Sequence, residues 1–536
     1  MGAVVTVNDL LDGHVQLDIK CLDRIYLNGY VPNLQVAGQV VIFMTQHLGL
    51  PIPSPAIMEK IGTQFRRSVR SFADMNEIPM VRFNKGDRKI EVMGRYLDAQ
   101  AKTGRSGVAA IGVAQEYQNV FASTERSGTD GLPWFSFTKA DRRVTCFYFY
   151  LWDMNFGPGF IKVCAYFPYP VKVWVNGHEW AKRQASHAGI GFTELSNGFA
   201  TCADPEGLQA ICDRLGPRTI EDFFDDWMNR LPLPLTDHDR VDGYWWELSM
   251  RQIEVSRTLV FDAPRRARAF FEALVSDNLD IGRPDSVEFI FTGPRHLGAP
   301  FKLGCVPKTK IVTRDTDVTV NAFFKHSRVK QYLKDGRALR IETMVNSPDD
   351  LRCHRRLAHL DELQTKARDV NRRLLDTERV GQGCVLASPA FERVAQPSVT
   401  TDGRRAPALR FGDPRVMALL GALCISLNAL GFTNRSLRAH VNHLLGAAYT
   451  INQMSYDLAR LRLNGLIERR QHTNTYTLTP DGQRVAIFYT KVHDRLLRPL
   501  LAADQPPAPT ELRTALATID RHVHNYTDRA RIAKAA

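Results

Sequence analysis

Apolar residues recur at helical spacing between residues 413 and 431, and signals for a helix start and a helix stop bound them. The start is Asp413 followed by Pro414, because an aspartate can accept from the free amides of a first turn and proline fits its first position. The stop is Gly431, since glycine readily takes the left-handed conformation that ends helices. The apolar positions between them are Val416, Leu419, Leu420, Leu427 and Leu430. This pattern predicts a first helix.

Two more helices are predicted directly after it. Thr433 or Asn434 can cap a second helix, which Gly446 ends. Thr450 and Gln453 have the spacing of a capping box, so a third helix is expected to begin there. The inward positions of the third helix are Ile451, Met454, Leu458 and Leu461. Its outward positions are Asn452, Gln453, Ser455, Tyr456 and Arg460.

Alternating residues after the third helix predict a hairpin with a turn at 472–474, and Pro480 then opens a last helix. The stretch LARLRLNGLIERRQHTNTYTLTPDGQRVA resembles the winged helix-turn-helix domains of bacterial DNA-binding proteins. The resemblance implies that the outward residues of the third helix contact DNA. It also makes Arg469, Arg470 and His472 of the hairpin DNA-binding candidates. A winged helix that contacts only proteins is the alternative.

Charge favours a polyanionic partner. The chain of 536 residues has a formal net charge of +13 and a pI near 9.3. Residues 411–500 alone hold 11 Lys and Arg against 5 Asp and Glu, which suits a surface that faces phosphates. DNA is therefore the expected partner and RNA a second candidate, whereas a membrane is not expected.

A second pattern lies between residues 143 and 189, where β-prone runs precede a helix. The run 144–152 ends at Asp153, two further strands follow, and Asn176-Gly177 turns into a helix that carries Glu179. This order resembles the opening of ribonuclease H-like nucleases and transposases. The resemblance implies that Asp153 and Glu179 bind Mg²⁺ or Mn²⁺, with Glu342 as a third acid from the strand-like run LRIET. Structural roles for these acids are the alternative.

A basic run between residues 325 and 340 surrounds Tyr332. Its Lys-x-Tyr-x-Lys pattern, followed by LRIET, resembles rolling-circle replication proteins, in which a tyrosine attacks DNA. The resemblance makes Tyr332 a candidate nucleophile, although no His-hydrophobe-His metal motif accompanies it. The alternative is a strand and turn that positions phosphates. The cationic candidates for that role are Lys325, Arg328, Lys330, Lys334 and Arg337.

These patterns predict an α+β, multidomain protein with a mixed-sheet, ribonuclease H-like central body and a C-terminal winged helix-turn-helix domain. The expected units are an N-terminal α/β domain at 1–140, a central domain at 141–380, a linker at 381–410, the winged helix at 411–500, and a linker with a C-terminal helix at 501–536. That last helix has heptad-like apolar spacing, so it can form a homodimer or pack on its own chain.

Location and chemistry are less constrained by the sequence. The most apolar N-terminal run, 34–50, is interrupted by polar residues and falls short of a bilayer span of about 20 residues. No charged-then-apolar signal precedes it, so a cytoplasmic protein is expected. The nine cysteines form no C-x-x-C pair, which gives no indication of a zinc site or a disulfide framework.

Two hypotheses follow. The segments NGHEWAKRQ and LRIETMVN, with the winged tail, resemble uncharacterised bacterial proteins of mobile elements. The first hypothesis is a metal-dependent nuclease or transposase-like enzyme, in which Lys182, Arg183, Lys330 and Arg337 hold phosphates. The second is a non-catalytic DNA-binding regulator or initiator, whose binding persists in chelator and weakens with salt.

Overall fold

The computed structural model describes residues 11–84, 86–127, 133–281, 286–290, 308–314, 317–380, 389–400, 403–424, 431–471, 473–493 and 510–529. The strands are β1 (Val15–Tyr30), β2 (Met80–Arg82), β3 (Gly107–Ser127), β4 (Pro133–Asp153), β5 (Gly157–Cys164), β6 (Val171–Asn176), β7 (Phe192–Glu194), β8 (Phe199–Cys202), β9 (Glu247–Phe261), β10 (Ser286–Ile290), β11 (Lys308–Arg314), β12 (Asp317–Phe324), β13 (Ser327–Lys334), β14 (Ala338–Val345), β15 (Ser398–Val399), β16 (Arg405–Ala406), β17 (Ile467–Arg469) and β18 (Tyr476–Leu478). The helices are α1 (Ala37–Ile42), α2 (Pro55–Met75), α3 (Lys89–Lys102), α4 (Gly177–His187), α5 (Pro205–Asp213), α6 (Pro217–Met228), α7 (Asp237–Val241), α8 (Pro264–Ile281), α9 (Leu360–Val380), α10 (Pro389–Ala395), α11 (Pro414–Leu423), α12 (Asn434–Leu445), α13 (Ile451–Leu463), α14 (Pro480–Val492) and α15 (Thr510–Arg529).

One mixed sheet of twelve strands organises the described part of the chain before α9. Its order is β10-β11-β12-β13-β14-β9-β1-β6-β5-β4-β3-β2. The pairs at its two edges, β10 with β11 and β2 with β3, are parallel, and the pairs between them are antiparallel. The α+β class predicted from the sequence is therefore confirmed at this level.

The domain boundary predicted at 140/141 falls inside β4. Strand β1, from the expected N-terminal domain, pairs with β9 and β6 of the expected central domain. Side chains from Leu17 to Ala367 also share one hydrophobic core. Pairing between strands far apart in sequence joins the two expected domains into one sheet.

The meander predicted from residue 143 onward is present as β4, β5 and β6, followed by α4. The side chain of Asn176 caps α4 by accepting from the amides of His178 and Glu179. Gly177, the first residue of the helix, lies against β1, where a Cβ atom would come within 1.8 Å of the Leu22 carbonyl oxygen. Only glycine permits this approach, so the first turn of α4 packs directly against the backbone of β1.

The predicted C-terminal helices and hairpin are also present. Thr433 and Thr450 cap α12 and α13 with capping boxes, and Gly446 ends α12 in the left-handed conformation. Strands β17 and β18 pair as a hairpin, and Thr479 caps α14. The first predicted helix is described as α11, while residues 425–430 lie outside the described residues.

Part of the segment predicted as a linker, 381–410, contributes to this C-terminal unit. Within it, α10 places Phe391 and Val394 in the same core as α11, α12 and α13, and Leu409 joins them. The remainder at 381–388 and 401–402 lies outside the described residues. Apolar side chains here bury area against the helices, so the core extends upstream of the predicted boundary.

The predicted C-terminal helix is present as α15, with Leu516 buried and Ile519 exposed. Dimerisation through it stays a prediction. Among the helices that the structure describes, none combines the length and the apolar character needed to cross a bilayer.

Candidate functional site

A row of polar side chains crosses one face of the sheet at β13 and β14. Alternate residues of a strand share a face, so Arg328, Lys330, Tyr332 and Lys334 of β13 all lie on this side. On β14, the facing residues pair across the strands, with Lys330 opposite Glu342 and Tyr332 opposite Arg340. Strand register therefore assembles much of the basic run predicted from the sequence into one surface.

Arg340 is the centre of this polar row. Its side chain is fully buried and contacts two carboxylates, with Nη2 donating to Asp23 at 2.5 Å and Nε donating to Glu342 at 2.8 Å. Nη1 donates to the Asn197 carbonyl oxygen at 2.7 Å, and His178 Nε2 accepts from Nη2 at 2.8 Å. Burial, followed by the charge of Arg340, holds the pKa of His178 well below its usual value, so this imidazole is neutral.

Tyr332 and Glu342, which the sequence assigned to two different catalytic hypotheses, lie together. The Tyr332 hydroxyl donates to Glu342 Oε1 at 2.8 Å, and the Lys330 ammonium lies 3.9 Å from the centre of the tyrosine ring. Burial and the nearby Glu342 charge raise the pKa of Tyr332. The phenol is therefore protonated at neutral pH, and a nucleophilic role would require Glu342 to take its proton as the bond forms.

Glu254, on β9, is a carboxyl group of this site whose pKa is raised. It is buried, and burial raises its pKa to about 7, which the charges of Asp23 and Glu342 assist and that of Arg24 opposes. Gln252 donates to Glu254 Oε1 at 3.1 Å. A carboxyl group that is partly protonated at neutral pH can donate or accept a proton, as acid–base chemistry requires.

These side chains line a cavity of about 330 Å³, which we call the central cavity. Its walls carry five cations, at Arg24, Arg328, Lys330, Lys334 and Arg340, against three acids, at Asp23, Glu254 and Glu342. Trp174, Asn176, Asn197, Tyr332 and Met344 complete the lining. The excess of cations suits an anionic group of about the size of a nucleotide fragment.

Asp153 lies outside this cavity and has structural partners. It ends β4, and its Oδ1 accepts from the backbone amides of Asn155 and Phe156 at 2.8 and 3.0 Å. Its Oδ2 accepts from the indole of Trp227 at 3.0 Å. The carboxylate thus closes the turn into β5 and ties it to α6, which matches the structural alternative for this acid.

Glu179 is likewise engaged away from the cavity. Its carboxylate accepts from Lys182 at 3.0 Å and from Arg183 at 2.9 Å. Burial would raise the pKa of Glu179, but these two hydrogen bonds lower it. Lys182 also donates to Glu194. Lys182 and Arg183, which were predicted to contact phosphates, therefore both bind acidic side chains.

Asp153, Glu179 and Glu342 therefore do not form one metal-ligand group. Among the described residues, a single set of three His, Cys, Asp or Glu side chains has ligand atoms within 4.8 Å of one another. It consists of His47, His238 and Asp242. The three predicted acids are held by separate hydrogen-bond partners, and the predicted Mg²⁺ or Mn²⁺ site at these positions has no geometric support.

The remaining cations of the basic run do not line the central cavity. Lys325 occupies the tight turn between β12 and β13 with a φ of 51°. Arg337 lies in the next turn, between β13 and β14. Both residues lie in turns at strand ends, outside the alternation that places the other β13 cations on one face.

The outward residues of α13 form an open surface in the C-terminal unit. Asn452, Gln453, Ser455 and Tyr456 are exposed, and we call this surface the α13 face. Tyr456 is 52% exposed. Gln453 also completes the capping box by accepting from the Thr450 amide at 2.8 Å, so it has a structural role as well. The rest of the described chain leaves this face uncovered.

Two positions of α13 differ from their predicted orientation. Arg460 was expected outward, yet its side chain is only 11% exposed, lies 3.5 Å from Asp457 and donates to the Pro407 carbonyl at 3.4 Å. Ile451 was expected inward and is 59% exposed. The segment that contains Pro407 covers the helix at Arg460, a tertiary contact that helical periodicity alone does not show.

The two arginines predicted to bind DNA from the β17–β18 hairpin, Arg469 and Arg470, have different surroundings. Arg469 donates to Thr473 and Asn474 and so holds the hairpin turn together. Arg470 borders a cavity with Asp369 of α9, and burial lowers its pKa. Arg470 thus faces the sheet-bearing part of the chain, whereas His472 lies outside the described residues.

Comparison with known proteins finds no match to a family model, a curated protein or a solved structure. The site residues that sequence reasoning missed are Asp23, Arg24, Glu254 and Arg340. They lie in β1, β9 and β14, and each of these β-prone runs carries other charged residues as well, so no local signal distinguished the four from their neighbours.

Proposed function

We propose that the protein binds double-stranded DNA through the α13 face. Helices α12 and α13 with the β17–β18 hairpin and α14 have the element order of a winged helix-turn-helix domain, in which the second helix of the pair enters the major groove. The observation that carries the proposal is the exposure of Asn452, Gln453, Ser455 and Tyr456 on that helix. Such side chains can hydrogen-bond base edges and phosphates.

The surroundings of the α13 face support contact with phosphates. Arg462 at the end of α13 is exposed, and it has no carboxylate partner among the described residues. Arg415 is fixed beside the face by a hydrogen bond to the buried Asp457 at 2.8 Å, and its guanidinium lies 5.7 Å from the Tyr456 ring. Cations in these places favour DNA over a neutral protein partner.

Duplex binding by purified full-length protein tests this proposal. Fluorescence anisotropy with a labelled mixed-sequence duplex should show binding that weakens steeply between about 50 and about 200 mM salt. Asn452→Ala combined with Tyr456→Ala should weaken it by roughly tenfold or more, because base and phosphate contacts are lost. Gln453 is left in place to preserve the helix cap.

A matched control removes charge elsewhere. Arg218 on α6 is 87% exposed and paired with Asp222, so Arg218→Ala should keep the affinity of the unmodified protein. Equal affinity for duplex in the α13 variant and in this control would contradict the proposal, as would the absence of binding at low salt.

A second candidate function is DNA strand cleavage in the central cavity. The hydrogen bond from Tyr332 to Glu342, next to Lys330, is the observation that favours it. Nicking of supercoiled plasmid that persists in chelator and is abolished by Tyr332→Phe, while Arg218→Ala nicks normally, would support this activity. Equal nicking by the phenylalanine variant would exclude Tyr332 as its nucleophile.

A further inference from the structure

A long basic groove lies far along the sheet from the central cavity. It consists of two adjoining cavities of about 400 and 800 Å³, which share Arg66, Gln115, Arg143 and Thr145 in their walls. Helix α2, strand β2 and the long β3–β4 hairpin enclose it. We call it the N-terminal groove. Its combined volume and extended shape suit a chain-like ligand more than a compact one.

The charge of the N-terminal groove is strongly positive. Its cations are Arg66, Arg70, Arg82, Lys89, Arg142 and Arg143. Its two acids already have cationic partners, since Arg66 donates to Glu59 at 2.5 Å and both Lys89 and Lys162 donate to Glu116. Burial would raise the pKa of Glu116, but its hydrogen bonds lower the pKa to about 2, so this acid stays bound to its lysines.

Four of the arginines are exposed and lack an acidic partner. Arg70, Arg82, Arg142 and Arg143 are solvent-accessible, and within the described ranges no carboxylate lies within ion-pair distance of them. Unpaired cations along a groove create a positive potential that attracts polyanions, because it is not cancelled locally. They also have free donors for phosphate oxygens.

Aromatic rings lie among these cations. Tyr117 on β3 is 74% exposed, and Phe83 and Tyr166 are half-buried with part of each ring open to the groove. Phe121 and Phe147 form the apolar floor. An exposed tyrosine ring beside these cations can stack on a base of a bound ligand.

We propose that the N-terminal groove binds single-stranded nucleic acid. Arginines spaced along a groove can follow a sugar–phosphate backbone, and exposed rings can stack on unpaired bases. A duplex hides its base faces in the stack, so aromatic rings give it no comparable contact. This site is separate from the α13 face and does not depend on duplex binding there.

Fluorescence anisotropy with labelled oligothymidylate and full-length protein tests whether the N-terminal groove binds single strands. Tyr117→Ala combined with Arg143→Ala should weaken binding by roughly tenfold or more, because one stacked base and one phosphate contact are lost. Arg218→Ala removes the same single positive charge from a paired position on the surface of α6, and this control should bind as the unmodified protein does. Circular dichroism of each variant checks that the fold is retained.

Specific outcomes separate the two nucleic-acid surfaces. A groove variant that loses oligothymidylate affinity while the control keeps it supports the proposal, whatever happens at the α13 face. Equal loss in groove variant and control would overturn it, because the binding would then follow net charge alone. Tighter binding of duplex than of oligothymidylate at the groove, measured in the Asn452→Ala, Tyr456→Ala background, would overturn it as well.

A second site is indicated independently by the cluster of His47, His238 and Asp242. The ligand atoms lie at 3.1 Å between His47 Nδ1 and Asp242 Oδ2, and at 3.3 Å between His238 Nδ1 and Asp242 Oδ2. A tetrahedral ion with metal–ligand bonds of about 2.0 to 2.1 Å would separate its ligands by about 3.3 Å. Two of the three separations therefore match a tetrahedral transition metal ion, and all three ligand atoms lie within 4.8 Å of one another.

The orientation of His47 supports this fit. Its other ring nitrogen, Nε2, contacts Asp239 Oδ1 at 2.6 Å, and Asp239 is itself fixed by the capping box of Thr236. A carboxylate behind a histidine commonly sets the tautomer and aims the opposite nitrogen at a metal. His238 lies on α7 and Asp242 is the C-terminal cap of the same helix, so one short element supplies both remaining ligands.

We infer that these three side chains bind a zinc-class ion whose fourth position is open. Titration of metal-free protein with Co²⁺ should give the intense visible absorption of a tetrahedral complex, and Zn²⁺ should displace it. His238→Ala should abolish that absorption, whereas His187→Ala, at an exposed histidine on α4, should not. Unchanged Co²⁺ spectra in the His238→Ala variant, or no tetrahedral band in the unmodified protein, would overturn the inference.

Discussion

The central cavity and the N-terminal groove have similar numbers of cations, but the two sets differ in burial and in pairing with acidic side chains. In the cavity, Arg340 is fully buried between Asp23 and Glu342. In the groove, Arg70 and Arg143 are exposed and have no acidic partner within the described residues. The comparison shows that the number of cations does not by itself identify a nucleic-acid surface. Burial and pairing decide which cations stabilise the fold and which remain free to bind.

The cavity charges are costly to separate because they lie in the interior. Arg340 and Asp23 are 317 residues apart, and their contact links β14 to β1 across β9. Removing one member of a buried pair leaves the other desolvated without compensation. The groove cations keep their hydration, so removing one of them should change binding more than folding.

The largest effect on folding is expected for Arg340→Met. The substitution leaves Asp23 and Glu342 buried without their cation and should lower the free energy of unfolding by about 3 to 5 kcal/mol. Chemical denaturation measures it. The same substitution at Arg218, an exposed ion pair, should cost less than about 1 kcal/mol. Similar losses at both positions would remove the distinction between buried and exposed charge.

A smaller, pH-dependent effect is expected for Glu254→Gln. The folded pKa of about 7 lies above the unfolded value, so the folded state binds the proton more tightly and its stability falls as pH rises from about 4.5 to about 7. Glutamine removes this loss. Relative to the unmodified protein, the variant should therefore gain up to about 3 kcal/mol between pH 5 and pH 8. A pH-independent difference between the two proteins would show that Glu254 is not perturbed.

Asp153→Ala should reveal whether this acid is structural. It removes the acceptor of two backbone amides and of the Trp227 indole, so a loss of about 2 kcal/mol in unfolding free energy is expected. Asp153→Asn can keep some of these contacts and should lose less. If both variants fold as stably as the unmodified protein, and a divalent-ion-dependent activity is lost in them, the catalytic interpretation of Asp153 would regain support.

The smallest effect on folding is expected in the groove. Arg142→Ala and Arg143→Ala should each change the free energy of unfolding by no more than about 0.5 kcal/mol, because neither side chain has an acidic partner to lose. Thermal unfolding of both variants is the measurement. A loss comparable with that of Arg340→Met would mean that these arginines hold the β3–β4 hairpin instead of a ligand.

Local signals allowed prediction of the C-terminal elements, whereas the central cavity was only partly predictable. Thr433, Thr450 and Gly446 act on amides and carbonyls within a few residues, so their effect can be inferred from the sequence. In the cavity, the basic run around Tyr332 was recognised, and the alternation of β13 places Lys330 and Tyr332 on one face.

The rest depends on contacts between distant segments. Asp23 and Arg340 meet only because β1, β9 and β14 are neighbours, and no local pattern specifies that order. The same applies to Arg460, which Pro407 covers from an upstream segment. The carboxylates at 153 and 179 were grouped by resemblance, and their actual partners, Trp227 and Arg183, come from packing and helical spacing.

Photocrosslinking tests the proposed function most directly. With p-benzoyl-phenylalanine in place of Tyr456, irradiation of a complex with duplex DNA should give a covalent protein–DNA adduct. The same residue in place of Ile519, which is 46% exposed on α15, serves as the control and should give little adduct. Adduct at position 456 alone is the predicted result. Equal yields at both positions, or no adduct at 456 under conditions where the duplex is bound, would contradict DNA binding through the α13 face.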